Sequence, residues 1–211
     1  MQADETHVSM LAAAEPATGG RLAALSSIGA AWVLSVGFDL FLHGGLLARL
    51  YAEPSPFLLP AEEAFRRIPL GYFTFLVLTA ALFWFLRRLD VRGALAGFRY
   101  GAAAGAVVWG ALTLGLFSFS TATLPMLAGW WAGQTVELGL AGTVLGAAAN
   151  GVPLKRIWWI VAASFVALVV VTIVLQSVGL APPMKVHERP RCGAVALDGR
   201  PVPQLNAPIH C

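Results

Sequence analysis

Charged residues are scarce in this sequence. Only 12% of its 211 residues are Asp, Glu, Lys or Arg, whereas 58% are hydrophobic. A soluble domain usually carries about 25% charged residues, so this composition indicates an integral membrane protein. The formal net charge is +3, but no basic helix or aromatic–basic pattern accompanies it, which argues against nucleic acid as a partner.

Histidine, lysine and known catalytic motifs are also scarce. Of the four histidines, only His43 lies within an apolar stretch, which excludes a haem held by two intramembrane histidines and a zinc held by three. No lysine lies within such a stretch, so a retinal Schiff base is excluded. The chain has no phosphate-binding loop, no nucleophile elbow and no internal repeat of the transporter type. We therefore predict no cofactor, no metal and no enzyme activity.

Five long apolar stretches predict five membrane-spanning helices, because about 20 apolar residues cross a bilayer core. They cover approximately residues 22–47, 68–86, 94–119, 124–149 and 157–180. We predict an all-α polytopic membrane bundle in which the first four helices, within residues 22–150, pack together. The fifth, rich in Val and Ile, is expected to lie at the periphery and face lipid.

The polar segments predict how the chain is oriented. Residues 1–21 are acidic and contain no basic residue before Arg21, so we expect an uncleaved cytoplasmic tail rather than a signal peptide. Residues 60–67 combine a proline, two acids and two arginines, which predicts a short helix on the outer surface. Lys and Arg concentrate in the N-terminal, second and fourth connecting segments. This asymmetry predicts that the N-terminus lies in the cytoplasm and that residues 181–211 form an exported tail.

The two cysteines, Cys192 and Cys211, both fall in the tail that we predict to be exported. An intrachain disulfide is the first expectation, because an exported segment permits one. A metal site that also uses His187 and His210 is an alternative, although its spacing is not that of structural zinc. Free thiols are the third possibility.

Polar residues inside the apolar stretches are the candidate site. Asp39 and His43 are four residues apart and therefore share a helix face. Glu137 and Gln134 lie deep in the fourth stretch. Intramembrane acids usually face a bundle interior and mark functional sites, but they also clamp helices together, and both interpretations stay open. Asp39 and Glu137 differ in depth by roughly 9 Å, so Gln134 or water would have to bridge them.

Arg99, at the start of the third stretch, has two possible positions. Its side chain could reach back to the headgroups at the membrane surface. Alternatively it could point inward and pair with Glu137, in which case it would belong to the same polar cluster.

Glycines at a spacing of four predict close helix packing, because both members of a pair lie on one helix face. The pairs are Gly101 and Gly105, Gly129 and Gly133, and Gly142 and Gly146. Packing within one chain is the first expectation, and contact between two copies of the chain is the alternative.

Several short motifs within residues 25–150 resemble those of small bacterial four-helix membrane proteins of unknown function. The motifs are Asp39-x3-His43-Gly44 with Leu47 and Tyr51, Arg99-Tyr100-Gly101-x3-Gly105, and Trp130-Trp131 with Gly133, Glu137 and Gly142. The resemblance implies a helical bundle in a bacterial inner membrane and assigns no chemistry. The fifth apolar stretch and the cysteine-bearing tail lie outside it.

Three functions are compatible with these features. The first expectation is a structural or accessory subunit whose partners are the lipid bilayer and a membrane complex, or further copies of the chain. The alternative is a small transporter or proton-linked channel that uses Asp39, His43 and Glu137. A membrane enzyme is the third, for which the sequence offers no complete catalytic set.

Overall fold

The structure, a computed structural model, describes residues 17–52 and 55–182. Six α-helices lie in these two ranges: α1 Ala17–Phe41, α2 Ala48–Ala52, α3 Ala61–Arg88, α4 Ala94–Phe119, α5 Leu124–Ala149 and α6 Leu154–Ser177. A π-helical turn, Leu42–Leu46, joins α1 to α2. The described part of the chain contains no strand, and the predicted all-α fold is confirmed.

Four of the helical segments are long and apolar enough to cross a membrane. They are Gly20–Leu46, Glu62–Arg88, Ala94–Phe119 and Leu154–Ser177. Helix α5 has the same 26-residue length as α4, but it is not among the four. Its middle carries Gln134 and Glu137 among glycines, and these residues lower its hydropathy. Composition therefore supports four of the five predicted spans.

Helix α5 occupies the centre of the bundle. It packs along α4 and also touches α1, α3 and α6, while α6 packs mainly on α1. Gly97 and Gly101 of α4 lie against the backbone of Gly142 and Leu138, so that an added Cβ would overlap a carbonyl oxygen. The amide of Gly93 also donates a hydrogen bond of 2.8 Å to the Gly146 carbonyl. The two helices approach closely because no side chain separates them.

The glycine pairs found in the sequence serve two different contacts. Gly101 and Gly105 face α5, and Gly142 and Gly146 face α4, so packing within one chain accounts for both pairs. The third pair lies elsewhere: Gly129 and Gly133 receive the side chains of Leu47 and Leu42. This second contact seats the π-helical turn against α5.

The surface helix predicted for residues 60–67 is not a separate element. It forms the first two turns of α3, which continues through Pro69 to Arg88. A proline removes one hydrogen bond from a helix but does not always end it. The expected acid–arginine pairs are present, with Glu62–Arg66 at 2.8 Å and Glu63–Arg67 at 2.6 Å.

Helix α6 has the peripheral position expected of the last apolar stretch. Only Ile157 and Val161 are buried along its described length, and most of its other Val and Ile side chains are exposed. The terminal segments 1–16 and 183–211 lie outside the described residues. The predicted Cys192–Cys211 disulfide and the alternative site with His187 and His210 fall there and stay predictions.

Candidate functional site

The π-helical turn shapes the end of α1. The amide of Leu47 donates to the Leu42 carbonyl at 2.8 Å, a step of five residues. Helix α6 supports the turn, because the side-chain amide of Gln176 donates to the Gly44 carbonyl at 3.0 Å. Single π-helical turns are rare and occur frequently at functional sites. This turn carries His43, one of the residues singled out from the sequence.

Four side chains form a hydrogen-bonded line at this turn. His43 Nε2 lies 3.0 Å from Asp39 Oδ1, and His43 Nδ1 lies 2.5 Å from the Tyr51 hydroxyl. The indole N–H of Trp130 donates to the same hydroxyl. We name this set, Asp39, His43, Tyr51 and Trp130, the relay line. It connects α1, the π-helical turn, α2 and α5.

Each hydrogen bond of the relay line can be assigned a donor and an acceptor. An indole nitrogen can only donate, so Trp130 uses a lone pair of the Tyr51 oxygen. The Tyr51 proton is then free to point to His43 Nδ1, which leaves the imidazole proton on Nε2, facing Asp39. Burial raises the pKa of Tyr51 well above its ordinary value, and the nearby Asp39 charge adds to this effect while the Trp130 bond opposes it. The tyrosine therefore keeps its proton and acts as a donor.

Gln134 extends the line towards the centre of the bundle. Its amide nitrogen lies 3.4 Å from Asp39 Oδ1, which is a long hydrogen bond. Glu137, one turn further along α5, is completely buried, and Ser35 and Gln134 are the polar side chains beside it. Even so, neither Glu137 oxygen nor Gln134 Oε1 has a hydrogen bond of normal geometry within the described residues. Three buried oxygens of these two residues therefore lack a regular hydrogen-bond donor in the described part of the chain.

Exposure falls steadily along this series of side chains. The His43 side chain is 27% exposed and that of Asp39 is 13% exposed, whereas Gln134 is 2% exposed and Glu137 is 0% exposed. The sequence predicted that Asp39, His43 and Glu137 face the interior of the bundle. Their positions lead from its edge to its centre.

Arg99 lies apart from this cluster. It is exposed and forms no ion pair with the described residues, so the alternative in which it pairs with Glu137 is not observed. The geometry of α4 explains this position. Gly97 and Gly101 face α5, and a residue two positions from each of them points to the opposite side of the helix.

Three residues of the site were not expected there from the sequence alone. In the sequence, Tyr51 and Trp130 belonged only to the motifs of the family resemblance, and no spacing placed them beside His43. Ser35 was overlooked, although it lies four residues before Asp39 and therefore on the same face. Among the described residues, no group of three or more His, Cys, Asp or Glu side chains could hold a metal ion.

No protein-family profile, no curated protein and no solved structure matches the chain. The resemblance to small four-helix membrane proteins stays a prediction.

Proposed function

We propose that this protein is an integral membrane protein that takes up a proton at His43 and holds it on Glu137, as a proton-linked transporter or channel would. One observation carries the proposal. Polar side chains run from His43 at the edge of the bundle through Asp39 to Gln134, one helical turn from the fully buried Glu137.

The chemistry of the relay line supports proton movement. Tyrosine, histidine and carboxylate groups can each accept and donate protons, and histidine changes its charge near neutral pH. When a proton from the surrounding water binds at His43 Nδ1 in place of the Tyr51 hydrogen bond, the proton on Nε2 can pass to Asp39. Gln134 differs from these groups, because its amide nitrogen only donates. It cannot pass a proton on, so transfer from Asp39 to Glu137 requires a bridging water, and the 3.4 Å contact between Asp39 and Gln134 is the point at which this step is controlled.

The buried acceptors support Glu137 as the group that holds the proton. A charged, uncompensated carboxylate in a membrane interior costs several kcal/mol. A protonated Glu137 becomes a donor, and Gln134 Oε1, one turn away on the same helix, is a buried acceptor without a donor. A single proton thus relieves the charge and turns one unpaired buried oxygen into a donor.

The packing of α5 along α4 supports five membrane crossings. Helix α5 runs antiparallel to α4, since Gly97 meets Gly142 near one end and Gly110 meets Trp131 near the other. A helix that lies along a spanning helix over this length spans as well. With the N-terminus in the cytoplasm, His43 then faces the outer side of a bacterial inner membrane. The proton would enter from that side.

A structural role is the second candidate. The hydrogen bonds of the relay line, together with the bond from Gln134 to Asp39, join α1, α2 and α5. Their whole role could be to clamp these helices together. The chain would then act as a structural or accessory subunit of a membrane complex. In that case, replacing Glu137 with an uncharged isostere should change no measurable activity.

Proton flux into liposomes distinguishes the two candidates. The full chain is reconstituted in liposomes that contain a pH-sensitive dye, and a pH gradient is then imposed. The proposal predicts acidification that Glu137→Gln abolishes. Glu63→Gln, which removes an exposed acid, serves as the matched control and should leave the flux unchanged. Equal flux through the parent and Glu137→Gln, or no flux through the parent, would contradict proton transport and favour the clamp.

A further inference from the structure

A groove opens at the end of the bundle opposite His43. It lies between the start of α1, the ends of α3 and α5 and the start of α6, and it encloses about 400 Å³. Its floor is apolar, with buried Leu86, Val91 and Leu145. Arg87, Asp90 and Arg92 also line it, so charged groups stand beside an apolar depression.

The turn after α3 produces this arrangement. Asp90 has a positive φ of 49°, and the Val91 amide donates to the Leu86 carbonyl at 3.0 Å. This is the hydrogen bond of a Schellman motif, which reverses the chain at a helix end. It places the side chain of Val91 in the floor of the groove and leaves the neighbouring charged side chains exposed.

The arginines at the groove form only weak interactions with other side chains. Arg92 lies 2.9 Å from Asp90, but both side chains are more than half exposed, and such a pair contributes little. The guanidinium of Arg87 stacks 5.7 Å from the centre of the Phe83 ring. Both guanidinium groups can therefore accept an anionic partner without losing a strong bond.

The charge at this end of the bundle is strongly positive. Its basic residues are Arg21, Arg87, Arg88, Arg92, Arg99, Lys155 and Arg156, and Asp90 is the one acid among the described residues there. At the opposite end, Arg66 and Arg67 are each paired with a glutamate. An anion is thus attracted to the groove end far more strongly than to the other.

We propose that the groove binds an anionic phospholipid. Guanidinium groups recognise phosphate through charged hydrogen bonds, while the apolar floor accommodates the first part of an acyl chain. Basic pockets between membrane helices on the cytoplasmic side are known to hold acidic headgroups. A free phosphate ion would use the arginines but would leave the apolar floor without a partner. The inference does not depend on the relay line, which lies at the other end of the bundle.

Native mass spectrometry of the full chain in mild detergent tests the proposal. Phosphatidylglycerol and phosphatidylcholine with identical acyl chains are titrated in parallel. The proposal predicts preferential retention of phosphatidylglycerol, and a loss of roughly tenfold in its affinity when Arg87→Gln and Arg92→Gln are combined. Asp90→Asn removes the acid beside the groove and should strengthen binding. Arg66→Gln, at the opposite end, is the matched control and should not alter it.

Two results would overturn the proposal. Equal retention of the two lipids, or phosphatidylglycerol binding that survives the double substitution, would show that the groove does not select an anionic lipid. Glycerol phosphate that competes as well as the intact lipid would show a site for soluble anions instead. Thermal unfolding of each variant confirms that a loss of binding does not reflect a loss of fold.

Discussion

The side-chain amide nitrogen of Gln134 lies 3.4 Å from the Oδ1 atom of Asp39. This contact joins Asp39 of the relay line to α5, one helical turn from the buried carboxyl group of Glu137. Its length indicates a weak hydrogen bond, so a small movement of α1 relative to α5 would make or break it. We therefore expect proton uptake to be controlled at this contact.

Substitutions at Glu137 should separate the effect of charge from that of polarity. Glu137→Gln keeps the shape and a donor for Gln134 Oε1, so the fold should be preserved. Glu137→Leu removes the polar group that a protonated Glu137 offers to its buried neighbours and should lower the free energy of unfolding by about 1–3 kcal/mol. Unfolding in mixed micelles measures both. Val136→Leu, at a half-exposed neighbouring position, is the control, and a Glu137→Leu variant as stable as the parent would refute this explanation of the buried acid.

Tyr51→Phe should disturb the histidine rather than the fold as a whole. The change removes the hydroxyl group that joins Trp130 Nε1 to His43 Nδ1, and the imidazole loses the donor that fixes its tautomer. Nitrogen NMR of labelled histidine should report a Nε2-protonated ring in the parent and a mixture of tautomers in the variant. Tyr100→Phe, at an exposed tyrosine, should leave the spectrum unchanged. An identical spectrum in Tyr51→Phe would show that Tyr51 does not orient the ring.

Gly101→Ala should destabilise the bundle strongly, although the substitution adds only one methyl group. The added methyl group would overlap the carbonyl oxygen of Leu138, and overpacking of this kind costs about 1–3 kcal/mol or more. Gly71→Ala is the matched control, because nothing lies within 4 Å of a Cβ at that position in α3. An alanine there should be neutral or stabilising. Similar effects of the two substitutions on thermal unfolding would contradict the close contact between α4 and α5.

Reporter fusions should decide whether α5 crosses the membrane. With five crossings, fusions after Asp90 and Val152 report the cytoplasm, and fusions after Thr121 and Pro182 report the outside. The Lys and Arg distribution sets this orientation. If Thr121 and Val152 report the same side, α5 does not span and the proposed topology is wrong.

Much of the fold could be predicted because it depends on composition and local spacing. Long apolar stretches predict helices, and glycines four residues apart predict close packing. The same rule also applies to Gly97, which lies four residues before Gly101. The predicted glycine pairs did not include Gly97. The continuation of α3 through Pro69 was missed because a proline signals a helix boundary more often than a helix interior.

The site was only partly predictable, because several of its contacts depend on distant parts of the chain. The spacing of Asp39 and His43 was sufficient to pair them on one face. The π-helical turn, in contrast, is supported by Gln176 of α6, more than a hundred residues away. The contact between Tyr51 and Trp130 likewise follows from the packing of α2 on α5, which no local pattern specifies.

Infrared spectroscopy of the full chain in lipid shows whether Glu137 binds and releases a proton. Spectra of the parent are compared with those of Glu137→Gln as the pH is changed, and the carboxyl C=O stretch is followed. Proton binding at Glu137 predicts a protonated-carboxyl band that disappears on alkalinisation, is absent in Glu137→Gln and changes more slowly in His43→Gln. A parent spectrum with no pH-dependent carboxyl band, or a band that survives Glu137→Gln, would contradict it.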